Sequence, residues 1–186
     1  MAKVMILVAS VREGRTGLPV AKWVERELSS RDVEVDFADL KEINLPFMDE
    51  PNHPAAQQYT KEHTKAWAKR VAETDAFIWV TPEYNHSFTA PLKNAIDYLV
   101  HEWRDKSVAF VSYGGQSSGT RGVAGLGETV GFLGMPRTRA NVEIAHPWGQ
   151  FTDEGEFEGT EAMNKSLSAT VEEIVEAATA FAAKEQ

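Results

Sequence analysis

Residues 76–97 read AFIWVTPEYNHSFTAPLKNAID and pass from an apolar run through a polar turn into an amphipathic segment. The run at residues 76–80 has no polar alternation, which is typical of a strand buried on both faces of a parallel sheet. A polar turn follows at residues 82–87, and Pro91 is suited to the first turn of a helix. This strand–loop–helix unit displays polar groups at the carboxyl end of a strand, where open α/β sheets bind ligands.

The rest of the chain repeats this alternation of strands and helices. Residues 4–9 and 108–111 are further apolar runs that predict buried strands. Residues 33–37 alternate apolar and acidic side chains, which predicts a strand with one more exposed face. Residues 137–142 are polar enough for an edge strand. Helical spacing of apolar side chains predicts helices at residues 18–28, 59–72, 92–103, 121–133 and 163–181.

Strands that alternate with helices predict a doubly wound α/β fold with right-handed crossovers. Five strands suit a parallel sheet in the flavodoxin-like order 2-1-3-4-5, with helices on both faces. The length of 186 residues fits a single domain, which we assign to residues 1–186. Two long loops, residues 44–58 and 145–159, stand out, and long loops in compact domains are often functional.

The composition excludes several classes of function. The net charge of −9 argues against a nucleic-acid-binding surface, which needs a basic stripe, and against docking on anionic lipid. The chain has no cysteine, which excludes disulfides, thiolate catalysis and zinc sites built on sulfur. The five histidines show no metal-ligand spacing, so we predict no metal site. The apolar run at residues 4–9 is too short to span a membrane, and we expect a cytoplasmic protein.

The loop after the first strand, residues 10–17, reads SVREGRTG and leads into a helix. Phosphate binding uses backbone N–H groups, a helix N-terminus, hydroxyls and a guanidinium, and this loop offers all four. It is not a Walker loop, and it lacks the G-x-G-x-x-G dinucleotide fingerprint, which favours a mononucleotide. A solvated connection with two surface arginines is the alternative. The predicted phosphate-binding residues are Ser10, Arg12, Arg15, Thr16, Gly17 and Leu18.

The turn after the third strand supplies a second candidate surface. Pro82 lacks an N–H group and stiffens the chain, so the residues after it are able to aim backbone donors at one edge of a planar ring. A helix entry capped by Thr89 is the alternative, and it is compatible with ligand binding. We expect the Glu83 carboxylate to bond backbone or an arginine rather than to act as a general base. The predicted ring-binding residues are Pro82, Glu83, Tyr84 and Asn85.

The loop after the fourth strand, residues 112–119, reads SYGGQSSG. Its paired glycines allow a ligand to approach the backbone closely, although a merely flexible loop would have the same composition. In the order 2-1-3-4-5, strands one, three and four are neighbours, so all three loops meet on one rim at the switch point. The predicted ligand-binding residues of the third loop are Ser112, Tyr113, Gly114 and Gly115.

These motifs resemble those of the NADPH-dependent FMN reductase family, which includes quinone, azo and chromate reductases. Ser10 and Arg12 resemble the family's G-S-x-R phosphate loop, with Ala9 in place of the usual glycine. Residues 82–85 (PEYN) and 92–97 (LKNAID) match its most specific signature. The resemblance implies a flavodoxin-like fold, bound FMN, and NADPH or NADH as the reductant.

The resemblance also implies a hydride relay and an oligomer. NAD(P)H reduces the flavin and is replaced by a small-molecule acceptor: a free flavin, a quinone, an azo or nitro compound, or a metal oxyanion. No side-chain acid or base is obligatory, so no catalytic residue is predicted. A homodimer or homotetramer is implied, with the neighbouring subunit helping to form the flavin site. Leu99 and Trp103 are candidate dimer contacts, and core packing is the alternative for both.

Two other classes of protein compete with this interpretation. A flavodoxin-like electron carrier, or an FMN-binding module without NAD(P)H activity, would share the fold and the acidic charge. Arg12 and Arg15 speak against it, because the phosphate loop of flavodoxins lacks arginine. An α/β hydrolase or phosphatase would need a cysteine or a G-x-S-x-G elbow, and the chain has neither.

Overall fold

The computed structural model describes residues 1–184, and the last two residues of the predicted domain lie outside the described residues. The strands are β1 (Lys3–Val8), β2 (Glu34–Asp39), β3 (Ala76–Pro82), β4 (Ser107–Gly114) and β5 (Val142–Ala145). The α-helices are α1 (Gly17–Leu28), α2 (Leu40–Ile43), α3 (Glu62–Ala72), α4 (Ala90–Asp97), α5 (Thr120–Leu133) and α6 (Glu161–Lys184). Short 3-10 helices lie at Pro54–Ala56, His101–Trp103 and Pro147–Gln150.

The five strands pair in parallel in the order β2-β1-β3-β4-β5, which confirms the predicted sheet. The register sets the strand ends level, with Val8 beside Val80 and Pro82 beside Tyr113. The Ala9 N–H continues the ladder beyond β1 by donating to the Val80 carbonyl at 3.0 Å. Because these parallel strands end at one edge of the sheet, the three loops predicted to bind a ligand leave it at the same rim.

Helices cover both faces of the sheet, as predicted. Successive side chains of a strand point to opposite faces. Val4, Ile6 and Val8 join a core cluster that packs under α1 and α6, whereas Met5 and Leu7 join a second cluster under α3, α4 and α5. This two-sided burial is the physical reason why β1, β3 and β4 have continuous apolar sequences.

The predicted helix at residues 92–103 is wrong in its second half. α4 ends at Asp97, and the chain turns before it enters a short 3-10 helix. The Trp103 ring is fully buried and meets Trp67 and Trp79 edge-on, each at a centroid separation of 5.9 Å. The apolar spacing that suggested one long helix therefore reflects core burial after a turn. Trp103 is a core residue, and the expectation that it contacts a second subunit is wrong.

The edge strand lies later in the sequence than predicted, at Val142–Ala145 rather than at residues 137–142. The preceding segment forms an isolated parallel bridge with the start of β4, at Val108 and Arg137, that is not continuous with β5. The Val108 N–H donates to the Pro136 carbonyl at 2.8 Å, and the Thr138 N–H donates to the Val108 carbonyl at 3.1 Å. These two bonds tie residues 136 and 138 to β4, and Thr138 lies in the segment that the polar pattern had predicted to be the edge strand.

α3 begins at Glu62 rather than at residue 59. The Glu50 carboxylate accepts hydrogen bonds from the N–H groups of Thr60 and Lys61 at 2.9 and 2.8 Å. The Tyr59 hydroxyl donates to the Glu102 carboxylate at 2.8 Å. Residues 59–61 therefore belong to a loop that two carboxylates anchor, and this long-range anchoring is absent from the local helical pattern.

Candidate functional site

The ends of β1, β3 and β4 surround a cleft of about 240 Å³. Its lining is made by Ser10, Arg12, Arg15, Thr16, Pro82, Glu83, Tyr84, Tyr113, Gly114, Gly115, Pro147 and Trp148. The structure thus brings the three predicted loops together and adds a fourth segment, from the loop after β5. Four of the predicted residues lie beside the cleft without lining it, and they are Gly17, Leu18, Asn85 and Ser112.

The two arginines of the first loop have different surroundings. The Arg15 guanidinium forms an ion pair with Asp39 at the end of β2, and it donates to the Ser10 carbonyl at 2.9 Å. Only 7% of the Arg15 side chain is exposed. Arg12 is exposed at the mouth of the cleft. The positive charge of Arg15 is therefore already matched by a carboxylate, whereas Arg12 presents its charge to an incoming ligand.

Helix α1 points its N-terminus at the cleft. Thr16 is the N-cap residue, but its side chain makes no capping hydrogen bond. The first N–H groups of a helix have no partner within the helix, and together with the helix dipole they attract anions. Since no side chain caps this end, the N-terminus of α1 offers donors for a phosphate.

Tyr113 places a buried hydroxyl beside that helix end. The Tyr113 side chain is buried, and its hydroxyl has no hydrogen-bond partner. A Cβ atom at residue 17 would collide with this hydroxyl, so Gly17 is the residue that makes room for it. Burial raises the pKa of the Tyr113 phenol well above its ordinary value, so the group remains a donor. An unpaired buried donor is costly, and a phosphate oxygen would satisfy it.

The turn after β3 is held in one shape by its own backbone. Tyr84 and Ser87 exchange two backbone hydrogen bonds of 2.9 Å, and the residues between them, Asn85 and His86, have positive φ angles of 49° and 63°. These are the features of a tight hairpin turn. The turn leaves 38% of Tyr84 exposed at the cleft, where its hydroxyl is 3.1 Å from the Ser10 Oγ. Asn85 points to solvent at the tip of the turn.

The predicted cap at the start of α4 is also present. The Leu92 N–H donates to the Thr89 Oγ1 at 3.3 Å, while the Thr89 hydroxyl donates to the Ala9 carbonyl at 2.9 Å. One threonine therefore caps α4 and ties the helix to the loop after β1. The two interpretations of this segment, ligand turn and helix entry, are compatible in the structure.

The Glu83 carboxylate connects the second loop to the third. It accepts a hydrogen bond from the Ser117 hydroxyl at 2.6 Å, and from the N–H and guanidinium of Arg121 at 3.2 and 3.1 Å. Burial alone would raise the pKa of Glu83, but the bonds from Ser117 and Arg121 outweigh it and lower that pKa below its ordinary value. Glu83 is therefore ionised and hydrogen-bonded, which confirms the expected bond to an arginine.

The third loop folds back tightly on β4. Gly119 has a positive φ angle of 82°, and a Cβ atom there would lie 2.8 Å from both the N and the O of Tyr113. The Ser112 hydroxyl donates to the Ser118 carbonyl at 2.8 Å, which explains why Ser112 faces the loop and not the cleft. This loop is a closed turn rather than a flexible one, and it leaves Gly114 and Gly115 at the cleft surface.

Sequence reasoning missed two kinds of site residue. Asp39 belongs to a different strand, and nothing local in the sequence pairs it with Arg15. Pro147 and Trp148 line the cleft from the loop at residues 145–159, which the sequence marked as functional without naming a residue. A tryptophan directly after a proline in a long loop was the available signal.

Over the described part of the chain, residues 1–184, no helix is both long enough and apolar enough to cross a bilayer. In the same range, no group of three or more His, Asp or Glu side chains is arranged to hold a metal ion.

Comparison with known proteins identifies relatives over most of the chain. Residues 2–149 match the model of a family described as NADPH-dependent FMN reductase. The chain is 39% identical to an NAD(P)H-dependent FMN reductase from a Nectria species over 160 residues, which are 82% of this chain and 79% of the relative. It is 37% identical to an NAD(P)H-dependent FMN reductase from Schizosaccharomyces pombe over 164 residues, 81% of this chain and 82% of the relative.

Among solved structures, the fold is similar to that of a flavoenzyme NAD(P)H:(acceptor) oxidoreductase from Paracoccus denitrificans. The TM-score is 0.79, with 97% of this chain and 99% of the other covered at 21% identity. At that identity the likeness establishes a common fold.

The Glu83 contacts predict a measurable stability effect. Glu83→Gln removes the charge that Ser117 and Arg121 share, and we expect a loss of about 1–3 kcal/mol in the free energy of unfolding at pH 7. Because the folded-state pKa is lowered, this contribution is present above the unfolded-state pKa of about 4.3 and is lost as the pH falls through the folded-state pKa. Urea unfolding followed by circular dichroism at pH 7 and below pH 4 measures both effects.

The exposed Glu154→Gln variant is the control, and it should leave the free energy of unfolding within about 0.5 kcal/mol of the unaltered protein. An equal loss for the Glu83 variant at both pH values would contradict the ionised state of Glu83.

Proposed function

Since the chain belongs to the NADPH-dependent FMN reductase family, we propose that it oxidises NAD(P)H and passes the hydride, by way of bound FMN, to a free flavin, a quinone or another small electrophilic acceptor. The observation that carries the proposal is the unpartnered Tyr113 hydroxyl beside the uncapped N-terminus of α1, in the cleft where three loops converge. The proposed place of action is the cytoplasm, where NAD(P)H is supplied.

We assign binding of the phosphate end of the cofactor to the first loop. Arg12 contributes an exposed guanidinium, Thr16 a hydroxyl, and Gly17 and Leu18 the first N–H groups of α1, while the Tyr113 hydroxyl donates from below. A charged group at a helix N-terminus is favoured further by the helix dipole. Arg15 contributes indirectly, because its hydrogen bond to the Ser10 carbonyl fixes the path of the phosphate-binding loop.

We assign binding of the ring end of the cofactor to the second and third loops. Pro82, Glu83 and Tyr84 form one edge, with Asn85 beside the cleft at the tip of the turn, and Gly114 and Gly115 present backbone to a flat group. The bonds from Glu83 to Ser117 and Arg121 hold these two loops at a constant separation. FMN supplies the hydride-transfer chemistry when it is bound, and the protein supplies position and electrostatics.

Glu83 is the one carboxylate among the cleft-lining residues, and it is ionised and hydrogen-bonded. Hydride transfer needs no protein proton donor, so the proposed reaction assigns no catalytic role to a side chain. An electron carrier would use the same fold, but the relatives that match most of the chain are named as reductases.

We further propose that two copies of the chain associate through the face formed by α4 and α5. A largely apolar groove of about 520 Å³ lies there, bordered by Met48, Ile96, Leu99 and Leu133. Phe132, with 82% of its surface exposed, stands at the same groove. A two-fold interface needs a surface that fits itself, and a protruding ring beside an apolar groove meets that requirement. Of the two predicted dimer contacts, Leu99 borders this groove, although it is buried in the same core cluster as Trp103.

Rapid mixing tests the reductase activity. Anaerobic mixing of the FMN-loaded protein with NADPH, and separately with NADH, should bleach the flavin absorbance near 450 nm within milliseconds to seconds. Mixing the reduced protein with a quinone or free FMN should restore it. A flavin that stays oxidised with both nucleotides would favour the electron-carrier alternative.

The two arginines of the first loop should respond differently to substitution. Arg12→Ala should weaken FMN binding by roughly tenfold or more, because a charge-assisted hydrogen bond contributes about 1.5–3 kcal/mol, while the apoprotein keeps its stability. Arg15→Ala should also destabilise the apoprotein, since it leaves Asp39 buried without its partner. Fluorescence titration with FMN and thermal unfolding of the apoprotein separate the effects. Arg139→Ala, exposed and outside the cleft lining, is the control. Unchanged FMN affinity in Arg12→Ala would remove Arg12 from the phosphate site.

The proposed interface predicts a change of mass. Phe132→Glu places a charge in the apolar contact and should shift the protein from dimer to monomer in sedimentation velocity at micromolar concentration. Ala180→Glu adds the same charge on α6, which covers the opposite face of the sheet, and should leave the mass unchanged. A monomer before any substitution would refute the dimer, and a fourfold mass would indicate paired dimers.

A further inference from the structure

The loop after β5 places an exposed tryptophan in the proposed cofactor cleft. Trp148 lines the cleft although 62% of its surface is exposed. The other four tryptophans of the chain, Trp23, Trp67, Trp79 and Trp103, are buried in the two core clusters. An indole exposes more apolar surface than almost any other side chain, and its burial by a ligand is correspondingly favourable. Trp148 therefore differs from the structural tryptophans of this protein.

The position of Trp148 is fixed from the side of β4. His146 has a positive φ angle of 47°, which is uncommon for a residue other than glycine and recurs at functional sites. Its N–H donates to the Gly114 carbonyl at 2.8 Å, so the start of the loop is bonded to the cleft floor. Pro147 is buried and opens the 3-10 helix that carries Trp148, and the rings of His146 and Trp148 lie 5.9 Å apart.

The far end of the loop is fixed as well. The Glu158 N–H donates to the Gln150 carbonyl at 2.9 Å, and Phe151 pairs with the fully buried Phe157. Trp148 thus stands on a short helix that is bonded at both ends. Its exposure is a consequence of this scaffold rather than of a loose loop.

The remaining walls of the cleft suit a flat ligand. Tyr84 lines the same cleft from the turn after β3, and it is also partly exposed. Gly114 and Gly115 line the cleft between these elements and present backbone to a flat group, and the missing side chain of Gly114 faces Gly119 rather than the cleft. Aromatic side chains prefer to pack on other planar rings, and the electron-rich indole does so best with an electron-poor ring.

We propose that Trp148 packs on a planar, electron-poor ring bound in this cleft and so makes planar ring compounds the preferred ligands of the site. The inference rests on the proposed function, which supplies two sources of such a ring: the isoalloxazine of FMN itself, or the nicotinamide or quinone that reacts with it. The chemistry recognised is the same in both cases, and the experiment separates them.

Fluorine NMR of protein labelled with 5-fluorotryptophan reports on Trp148 directly. The protein has five tryptophans, and the Trp148→Phe variant identifies the resonance. In the apoprotein this resonance should show a solvent isotope shift between H2O and D2O, while those of the buried Trp67 and Trp103 should not. Adding FMN should move the Trp148 resonance and reduce its isotope shift if the flavin is the ring. If Trp148 instead packs on the nicotinamide or the quinone, its resonance should move only when NADP⁺ or 1,4-naphthoquinone is added to the FMN-loaded protein. A Trp148 resonance that none of these compounds moves overturns the inference.

Kinetics with two variants provides an independent readout. Trp148→Ala should raise the dissociation constant of FMN, or the KM for 1,4-naphthoquinone, about two- to tenfold, the effect expected of one aromatic contact, and Trp148→Phe should restore most of it. The KM for ferricyanide, which has no planar ring, should stay unchanged in both variants. An equal rise for ferricyanide and naphthoquinone would refute a role in ring recognition.

The two proposals fail in different ways. A protein that binds FMN and is reduced by NADPH, but whose Trp148 resonance never moves, keeps the proposed function and loses this inference. A protein that takes up no FMN loses both.

Discussion

Parallel pairing of β1, β3 and β4 is the constraint on which the proposed site depends. The register places Val8 beside Val80 and Pro82 beside Tyr113, so the three loops start from one level. Only then does the Ser10 Oγ lie within 3.1 Å of the Tyr84 hydroxyl. The same alignment lets Glu83 reach Ser117 and Arg121. A shift of one residue in β3 would send its side chains to the opposite face, so the buried apolar runs that fix the register also fix the cleft.

Charge is arranged locally in an otherwise acidic protein. Arg15 with Asp39 and Arg121 with Glu83 form two ion pairs that hold the loops but present little net charge. The unmatched positive charge at the cleft is left to Arg12 and to the N-terminus of α1. In the proposed function, the phosphate therefore lies at this end of the cleft. The local arrangement reconciles the proposed anion site with a net charge of −9.

The sequence could predict what depends on short-range pattern and on strand adjacency. The apolar runs of β1, β3 and β4 identified buried parallel strands, and the strand order then brought the three loops to one rim. Contacts between distant segments of the chain could not be predicted from these local patterns. Nothing near Arg15 shows that Asp39 will pair with it, and the helical spacing before Trp103 gives no sign that the chain turns after Asp97. Trp148 was missed for the same reason, since nothing in the sequence shows that the loop after β5 reaches the cleft at the ends of β1, β3 and β4.

In the proposed function, Tyr113 links the stability of the protein to occupation of the site. Its hydroxyl is buried without a partner, and Gly17 is the residue that admits it beside α1. An unsatisfied buried donor costs about 1–3 kcal/mol in the free protein, and a ligand that accepts its hydrogen bond removes that cost. A ligand present at one hundred times its dissociation constant stabilises the native state by about 2.7 kcal/mol. In the proposed function, this arrangement trades stability of the empty protein for affinity at the N-terminus of α1, although the Tyr113 ring itself belongs to the core cluster under α1 and α6.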